Sequence, residues 1–319
     1  MKRGLLDYIY EWTIVGSYTS IGFRHRQRHF NNEVLPNLEK MTALVTGANS
    51  GIGYATTLKL AERGVHVIMA CRNFERGQSA ANQIRAAIPN ARLTPALVDI
   101  SDLTSVSQFS QWLNLHHPQL DILVHNAGVL LPSHQLTPQG HETTFATHVL
   151  GPFLLTQNSL PLLAQSPHPH VITVTSGGMY TQHLNLQLLL NSREKFDGVR
   201  LYAQAKRAQV ILNELWAERH PRNTIRFNTM HPGWASTPGV IKALPRFHKG
   251  LQRILRTPEE GADTAVWLAS SPEALNHNGV LFLDRTPRKT HVFPWTREST
   301  EDRLSLWNTV ESLCKKSLE

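Results

Sequence analysis

From residue 40 onward the chain alternates short, almost uninterrupted apolar runs rich in β-branched residues with longer stretches whose apolar positions recur at helical spacing. The short runs are residues 42–46, 65–70, 94–100, 122–125, 171–175, 225–230 and 280–283. They lack the strict polar alternation of a half-exposed strand, so they read as strands covered on both faces. Residues 52–63, 74–87, 103–114, 142–163 and 202–220 form the longer stretches, each able to cross from one parallel strand to the next. The pattern predicts the α/β class, with one doubly wound sheet of seven parallel strands sheathed by helices.

No repeat, low-complexity tract or linker divides this alternation. Residues 40–290 are therefore expected to form a single domain, preceded by an extension, 1–39, and followed by a tail, 291–319, with a helix over 304–315. The extension mixes Leu5, Leu6, Ile9, Trp12, Ile14 and Val15 with Asp7 and Glu11, and the absence of a small-residue cleavage site after a clean apolar core argues against a signal peptide. It reads either as a helix packed on the domain or as an amphipathic segment whose basic run, Arg24-His25-Arg26-Gln27-Arg28-His29, faces anionic lipid. Packing is preferred, because stable anchoring usually takes two membrane signals. Residues 143–192 carry no Asp, Glu, Lys or Arg, yet Thr147, His148, Gln157, Asn158 and Pro161 interrupt them well short of the roughly 20 apolar residues of a span.

With 41% hydrophobic and 18% charged residues among 319, the chain can bury a full core. Its formal charge of +8 suits anionic partners, but the basic residues are scattered and no module with interleaved aromatics is present, so nucleic acid is not an expected partner. Cys71 and Cys314 stand too far apart in sequence for a disulfide framework, which points to a reducing, cytoplasmic setting, with peripheral membrane contact through residues 1–39 as the variant. The 17 histidines contain no HExxH, and no metal is expected.

Two places carry chemistry. Thr46-Gly47-Ala48-Asn49-Ser50-Gly51-Ile52-Gly53 turns from the first strand into a helix, where glycines let the backbone approach a pyrophosphate and the helix N-terminus offers free N–H groups. Alone, such a triplet also occurs in ordinary loops. Tyr202-Ala203-Gln204-Ala205-Lys206 sets a phenol and an amine on one helix face. A nearby ammonium stabilises the phenolate and would bring its pKa down from near 10, fitting Tyr202 for general acid–base work. Arg72 follows the second strand about twenty residues beyond the glycine turn, where an acidic residue would take the ribose 2′-OH of NAD and arginine suits a 2′-phosphate. Asp99 after the third strand reads equally as a helix N-terminal carboxylate, and Asn126-Ala127-Gly128 equally as a turn.

Together with Val174-Thr175-Ser176-Gly177-Gly178 and His231-Pro232-Gly233-Trp234-Ala235-Ser236-Thr237, these motifs in this order resemble the short-chain dehydrogenase/reductase family over roughly Lys40 to Asp284. The resemblance implies a Rossmann domain holding cofactor and catalytic residues together. Gly47, Asn49, Ser50, Gly51, Ile52 and Gly53 would hold the pyrophosphate of NADP(H), Arg72 its 2′-phosphate and Asp99 its adenine. Asn126, Ala127, Gly128, Pro232 and Gly233 would line it, Thr237 would hold the carboxamide, and Tyr202 and Lys206 would contact it as well. Ser176 would polarise the substrate oxygen beside Tyr202. His148 stands where many members carry an asparagine thought to hold a relay water.

The function so implied is hydride transfer between NADP(H) and a carbonyl or alcohol. Within the family the likeness is greatest to an orphan dehydrogenase/reductase branch, which lends no substrate. The insertion between Ser176 and Tyr202 is similar to that of retinol-dehydrogenase-like members and implies a lipophilic small molecule. Trp234, Val240, Ile241, Leu244, Phe247 and Leu251 read as an apolar lid or, equally, as a packing segment. The resemblance also implies a homodimer through residues 142–163 and 202–220. The rival reading, motivated by His148, is a cofactor-binding protein with weak or no catalysis, acting in regulation or at a membrane surface.

Overall fold

The computed structural model describes residues 14–191, 193, 196–221 and 224–317. Leu5, Leu6, Asp7, Ile9, Glu11 and Trp12 of the expected extension lie outside them. The strands are β1 (Thr42–Thr46), β2 (His66–Cys71), β3 (Leu93–Leu97), β4 (Ile122–His125), β5 (His170–Val174), β6 (Arg226–Met230), β7 (Leu281–Leu283) and β8 (Thr286–Arg288). Their spatial order is β3-β2-β1-β4-β5-β6-β7-β8. All neighbours run parallel except the last pair.

The expected seven-stranded parallel sheet therefore gains an eighth, antiparallel strand. Asp284 and Arg285 both adopt positive φ, 51° and 57°, and fold the chain back in a two-residue hairpin so that Leu283 pairs with Thr286. Pro287 is tolerated there because β8 is an edge.

Alternate strand residues feed two cores. Leu44, Ile68, Leu123, Val171 and Phe227 point to one face, under α5 (Leu103–His116), α6 (Gly151–Leu163) and α8 (Gly198–Arg219). Val45, Met69, Val124, Ile172 and Met230 point to the other, under α3 (Gly51–Glu62), α4 (Phe74–Ala87) and α11 (Pro258–Ser270). The order reverses between β1 and β4, and the crevice beyond the strand ends at such a point is where ligands of doubly wound sheets bind.

Before the sheet, α1 (Ile14–Tyr18) and α2 (Ser20–Gln27) pack on the domain, with Phe23, Leu35 and Leu38 buried and Leu35 N–H bonded to Ser270 O at 2.8 Å. The basic run is partly spent internally: Arg24 pairs with Glu260 at 2.7 Å and Arg26 with buried Asp284. Among the described residues no helix is long and apolar enough to cross a membrane.

In the tail, α12 (Thr300–Lys316) lies across α6 and α8. Trp307 fits between Phe153 and Trp216 at ring distances of 4.9 and 4.7 Å, and Arg219 stacks on it at 3.8 Å. The helices expected to pair two copies are thus covered along this stretch by the chain's own tail. Between β5 and α8 lies the short α7 (Leu186–Leu190), and after β6 come α9 (Pro238–Ala243) and α10 (Pro245–Leu251).

Candidate active site

The glycine turn is built tightly. Gly47 and Gly51 sit at φ +66° and +55°, and a Cβ on Gly53 would lie 2.3 Å from Gly47 O and 2.4 Å from Asn126 Nδ2. Thr46 Oγ1 accepts the N–H groups of Asn126 and Ala127, both at 3.0 Å, while Asn126 Nδ2 donates to Thr46 O at 2.9 Å. The Asn-Ala-Gly segment is thereby fastened beside the turn. Cys71 braces it from below: its sulfur receives the Ala48 and Asn49 N–H groups, and burial pushes the thiol up to about 11, so it stays protonated. Ser50 stands at the N-cap of α3 without a capping bond from its side chain, leaving the leading N–H groups to an anion. A backbone cradle that any Cβ would fill, opening onto a helix N-terminus, fits a dinucleotide pyrophosphate.

Arg72 emerges exposed directly after β2. Asp99 accepts from Ser101 N–H and Oγ at 2.9 and 2.7 Å, whereas the cap of α5 is Asp102, which takes the N–H groups of Thr104 and Ser105. Of the two readings of Asp99, the helix cap is thus filled by its neighbour.

Asp197 caps α8 through Val199 and Arg200 N–H, both at 3.0 Å, and one turn later the helix presents Tyr202 and Lys206 toward the end of β5. Lys206 is buried, donates from Nζ to Val174 O at 2.8 Å and lies 5.5 Å from the Tyr202 ring centre. Thr175 Oγ1 donates to Lys206 O at 3.0 Å, pinning helix to strand. Ser176, the next residue, hydrogen-bonds Tyr202. Serine, phenol and amine are thus brought together, the last two on the helix face that their spacing predicts and the serine where the resemblance puts it.

Their electrostatics differ from expectation. Burial lowers Lys206 to about 7, so its ammonium is only partly present at neutral pH. Burial raises the Tyr202 phenol, and the hydrogen bond with Ser176 opposes that rise. Proximity alone does not make a phenol acidic when both groups are desolvated.

His148 lies in a π-helical turn, Ala146–Leu150, that leads into α6. Its ring meets the Tyr202 ring edge-on, 5.2 Å between centres at 88°. Nε2 sits 3.0 Å from Val129 N and 2.9 Å from Val129 O. A Cβ on Gly128 would stand 2.6 Å from this imidazole, so glycine there admits the ring. Burial and the Lys206 charge hold its pKa well below the ordinary histidine value.

The Pro-Gly loop closes the far side. Thr237 caps α9 through Val240 N–H at 3.3 Å, and its methyl lies 3.3 Å from where a Gly51 Cβ would stand. Gly233, at φ +73°, leaves room for the Arg256 guanidinium, which donates to Pro232 O at 3.3 Å. Arg256 in turn holds Asp284 with two bonds, 2.6 and 2.9 Å, and Asp284 also receives Arg26 of α2. Tyr18 stacks on His231 at 4.7 Å, and Trp234 N–H donates to Tyr18 O at 2.7 Å. Sequence reasoning missed this clamp of Tyr18, Arg26, Arg256 and Asp284. Arg26 belongs to the basic run that reads as a lipid-facing surface, and its partner Asp284 lies far along the chain.

Beyond the loop, α9 and α10 bury none of their residues, and Phe247 meets Trp234 edge-on at 5.3 Å. Among the described residues no cluster of three or more His, Cys, Asp or Glu is placed to hold a metal.

Residues 41–245 match the family described as short chain dehydrogenase. The chain is 41% identical over 277 residues to human dehydrogenase/reductase SDR family member 12, covering 86% of each chain. It is 33% identical over 291 residues to human retinol dehydrogenase 14, covering 85% of each. Among solved structures, a short chain dehydrogenase from Shigella flexneri complexed with NADP superposes with a TM-score of 0.62 at 25% identity, over 77% of this chain and 98% of that one.

Proposed function

The chain belongs to the short-chain dehydrogenase/reductase family of oxidoreductases, and on that footing we propose that it reduces a lipophilic carbonyl compound, or oxidises the matching alcohol, with NADP(H), using Tyr202 as general acid and base. The observation that carries the reading is the meeting of Ser176, Tyr202 and Lys206 at the end of β5, two strands from the glycine turn. When bound, the nicotinamide gives or takes the hydride.

The Gly47–Gly53 turn and the α3 N-terminus would hold the pyrophosphate, Arg72 the 2′-phosphate, and Thr237 the carboxamide, with Asp99 at the adenine end. Residues 40–290 carry all of these, with 1–39 and 291–319 as accessories. In reduction, Ser176 Oγ hydrogen-bonds the substrate oxygen while Tyr202 passes its phenolic proton to that oxygen. In oxidation the proton returns from the alcohol to Tyr202. Lys206, tied to Val174 O, fixes the register of the phenol and, in its charged form, steadies the phenolate. Holding these groups beforehand replaces a bimolecular encounter with an aligned one.

Support for a lipophilic substrate comes from α9 and α10, which carry Val240, Ile241, Leu244, Phe247 and Leu251 yet bury none of them, while Lys242, Arg246 and Lys249 face solvent. The similarity to a retinol dehydrogenase supports it. With α12 across α6 and α8, a homodimer through those helices would have to include or displace α12.

One observation favours the rival reading: His148 Nε2 is engaged by the Val129 backbone, so it does not replace the family asparagine freely. A panel of aldehydes, ketones and quinones with NADPH separates the two. Turnover of lipophilic members supports catalysis. Silence across the panel in protein that binds NADPH supports the rival, and activity confined to small charged sugars overturns the substrate class.

A further inference from the structure

Beside His148, between β4, β5, β6, α6 and α8, lies a partly open cavity of about 30 Å³. Four of its lining residues, His125, His148, Gln209 and Asn213, are at most 5% exposed. Each carries a buried atom with no partner among the described protein groups: His125 Nδ1, His148 Nδ1, Gln209 Oε1 and Asn213 Oδ1. Leaving one such atom unpaired costs about 1–3 kcal/mol, so four around one chamber call for a common ligand. A water needs roughly 10–15 Å³ measured this way and two to four polar partners, and the chamber supplies both.

The surrounding bonds say where the protons are. Thr156 Oγ1 donates to Pro152 O at 2.8 Å and so must accept from His125 Nε2 at 2.7 Å. The His125 proton therefore sits on Nε2, and its Nδ1 is an acceptor. Asn213 Nδ2 donates to Phe227 O at 3.2 Å, leaving Oδ1 as a second acceptor beside Gln209 Oε1. The chamber thus holds three acceptors. The fourth atom, His148 Nδ1, becomes a donor when Nε2 accepts the Val129 N–H at 3.0 Å. One water balances this set best, accepting from His148 and donating to two of the three acceptors. Were His148 protonated on Nε2 instead, it would donate to Val129 O at 2.9 Å, and four acceptors in the chamber would compete for two protons.

We propose that this chamber is a built site for a fixed water that locks His148 in its Nδ1–H form and, through the edge-to-face contact at 5.2 Å, positions the Tyr202 ring. His148 is then a positioning residue. It moves no proton to the substrate, and the water belongs to the fold rather than to the solvent path. The water site stands on its own geometry; its consequence for turnover rests on the assignment of Tyr202 as acid and base.

Nitrogen-15 spectra of the imidazoles in the full-length protein with NADPH test it. Expected are a single neutral Nδ1–H form of His148 from about pH 6 to about pH 8 and cross-relaxation from that proton to a long-lived water. Asn213→Leu, similar in volume but without an acceptor, should weaken the water signal, mix the His148 tautomers and lower kcat about tenfold with KM for NADPH unchanged. Asn213→Ser, which keeps an acceptor, should restore both. An Nε2–H form of His148, or no long-lived water near it in the wild-type protein, overturns the proposal whether or not the variants fold. Absence of turnover in wild-type protein with the expected spectra sinks the catalytic reading and leaves the water site standing.

Discussion

Changing Asp284 to Asn tests how firmly the N-terminal helices hold the Pro-Gly loop. The carboxylate is 1% exposed and lies between Arg256, also 1% exposed, and Arg26. Asparagine keeps the shape but removes the charge, leaving two buried guanidiniums facing each other. Breaking a buried pair in this way costs about 3–5 kcal/mol, because the partner's desolvation is no longer offset. With an unfolding entropy of about 2.1 cal/mol/K per residue over 319 residues, that is a fall in Tm of roughly 4–8 °C. Arg26 also loses the group that holds α2, so trypsin should cut near Arg24 and Arg28 faster than in the wild type. The loop resting on Arg256 should loosen, raising KM more than it lowers kcat. Thermal melts, timed trypsin digestion and steady-state kinetics read these effects. Glu62→Gln is the control, since its pair with Lys59 is about 40% exposed on both sides and should be worth under about 1 kcal/mol. An Asp284→Asn protein that melts with that control and digests at the wild-type rate would refute the clamp.

Lys206→Met should abolish turnover yet melt no lower than wild type at neutral pH, because a buried amine lowered to about 7 is only partly charged when folded there and fully charged when unfolded. The unfolded chain binds the extra proton between about 7 and the ordinary lysine value near 10.4, so wild-type stability should rise with pH across that window relative to the variant. Paired melts along a pH series check both signs. Arg72→Glu should move cofactor preference from NADPH toward NADH by about tenfold or more in kcat/KM, since a carboxylate suits a 2′-OH and repels a 2′-phosphate. Gly53→Ala should abolish NADPH binding in a fluorescence titration, because the new methyl meets backbone at 2.3 Å.

How far the sequence could be read depended on whether the physical demand was local. Strands β1 and β4 appear at their expected residues, and β2, β5, β6 and β7 within a residue or so, because burial on both faces writes an unmistakable apolar run. The glycine turn and the Tyr202/Lys206 pair were legible for a similar reason, each packing its requirement into a few neighbouring residues, whereas Ser176 came from the family resemblance. β8 was not, being three residues long, containing Pro287, and entered through Asp-Arg where a hairpin turn usually shows Asn-Gly. Nor was the π-turn at His148, since an extra residue in one helical turn leaves the apolar period almost intact. Arg26 and Arg256 looked like surface charge because their shared partner, Asp284, lies 258 and 28 residues away. The depressed lysine and raised phenol depend on burial that spacing does not encode.

Transfer of deuterium from NADPH labelled at the nicotinamide C4 to a lipophilic aldehyde, followed in wild-type protein and in Tyr202→Phe, tests the central claim most directly. The account predicts label on the former carbonyl carbon, and a rate reduced by about 10²–10⁴-fold in the variant while its NADPH affinity is kept. Label lost to solvent, or equal rates in the two proteins, would contradict it.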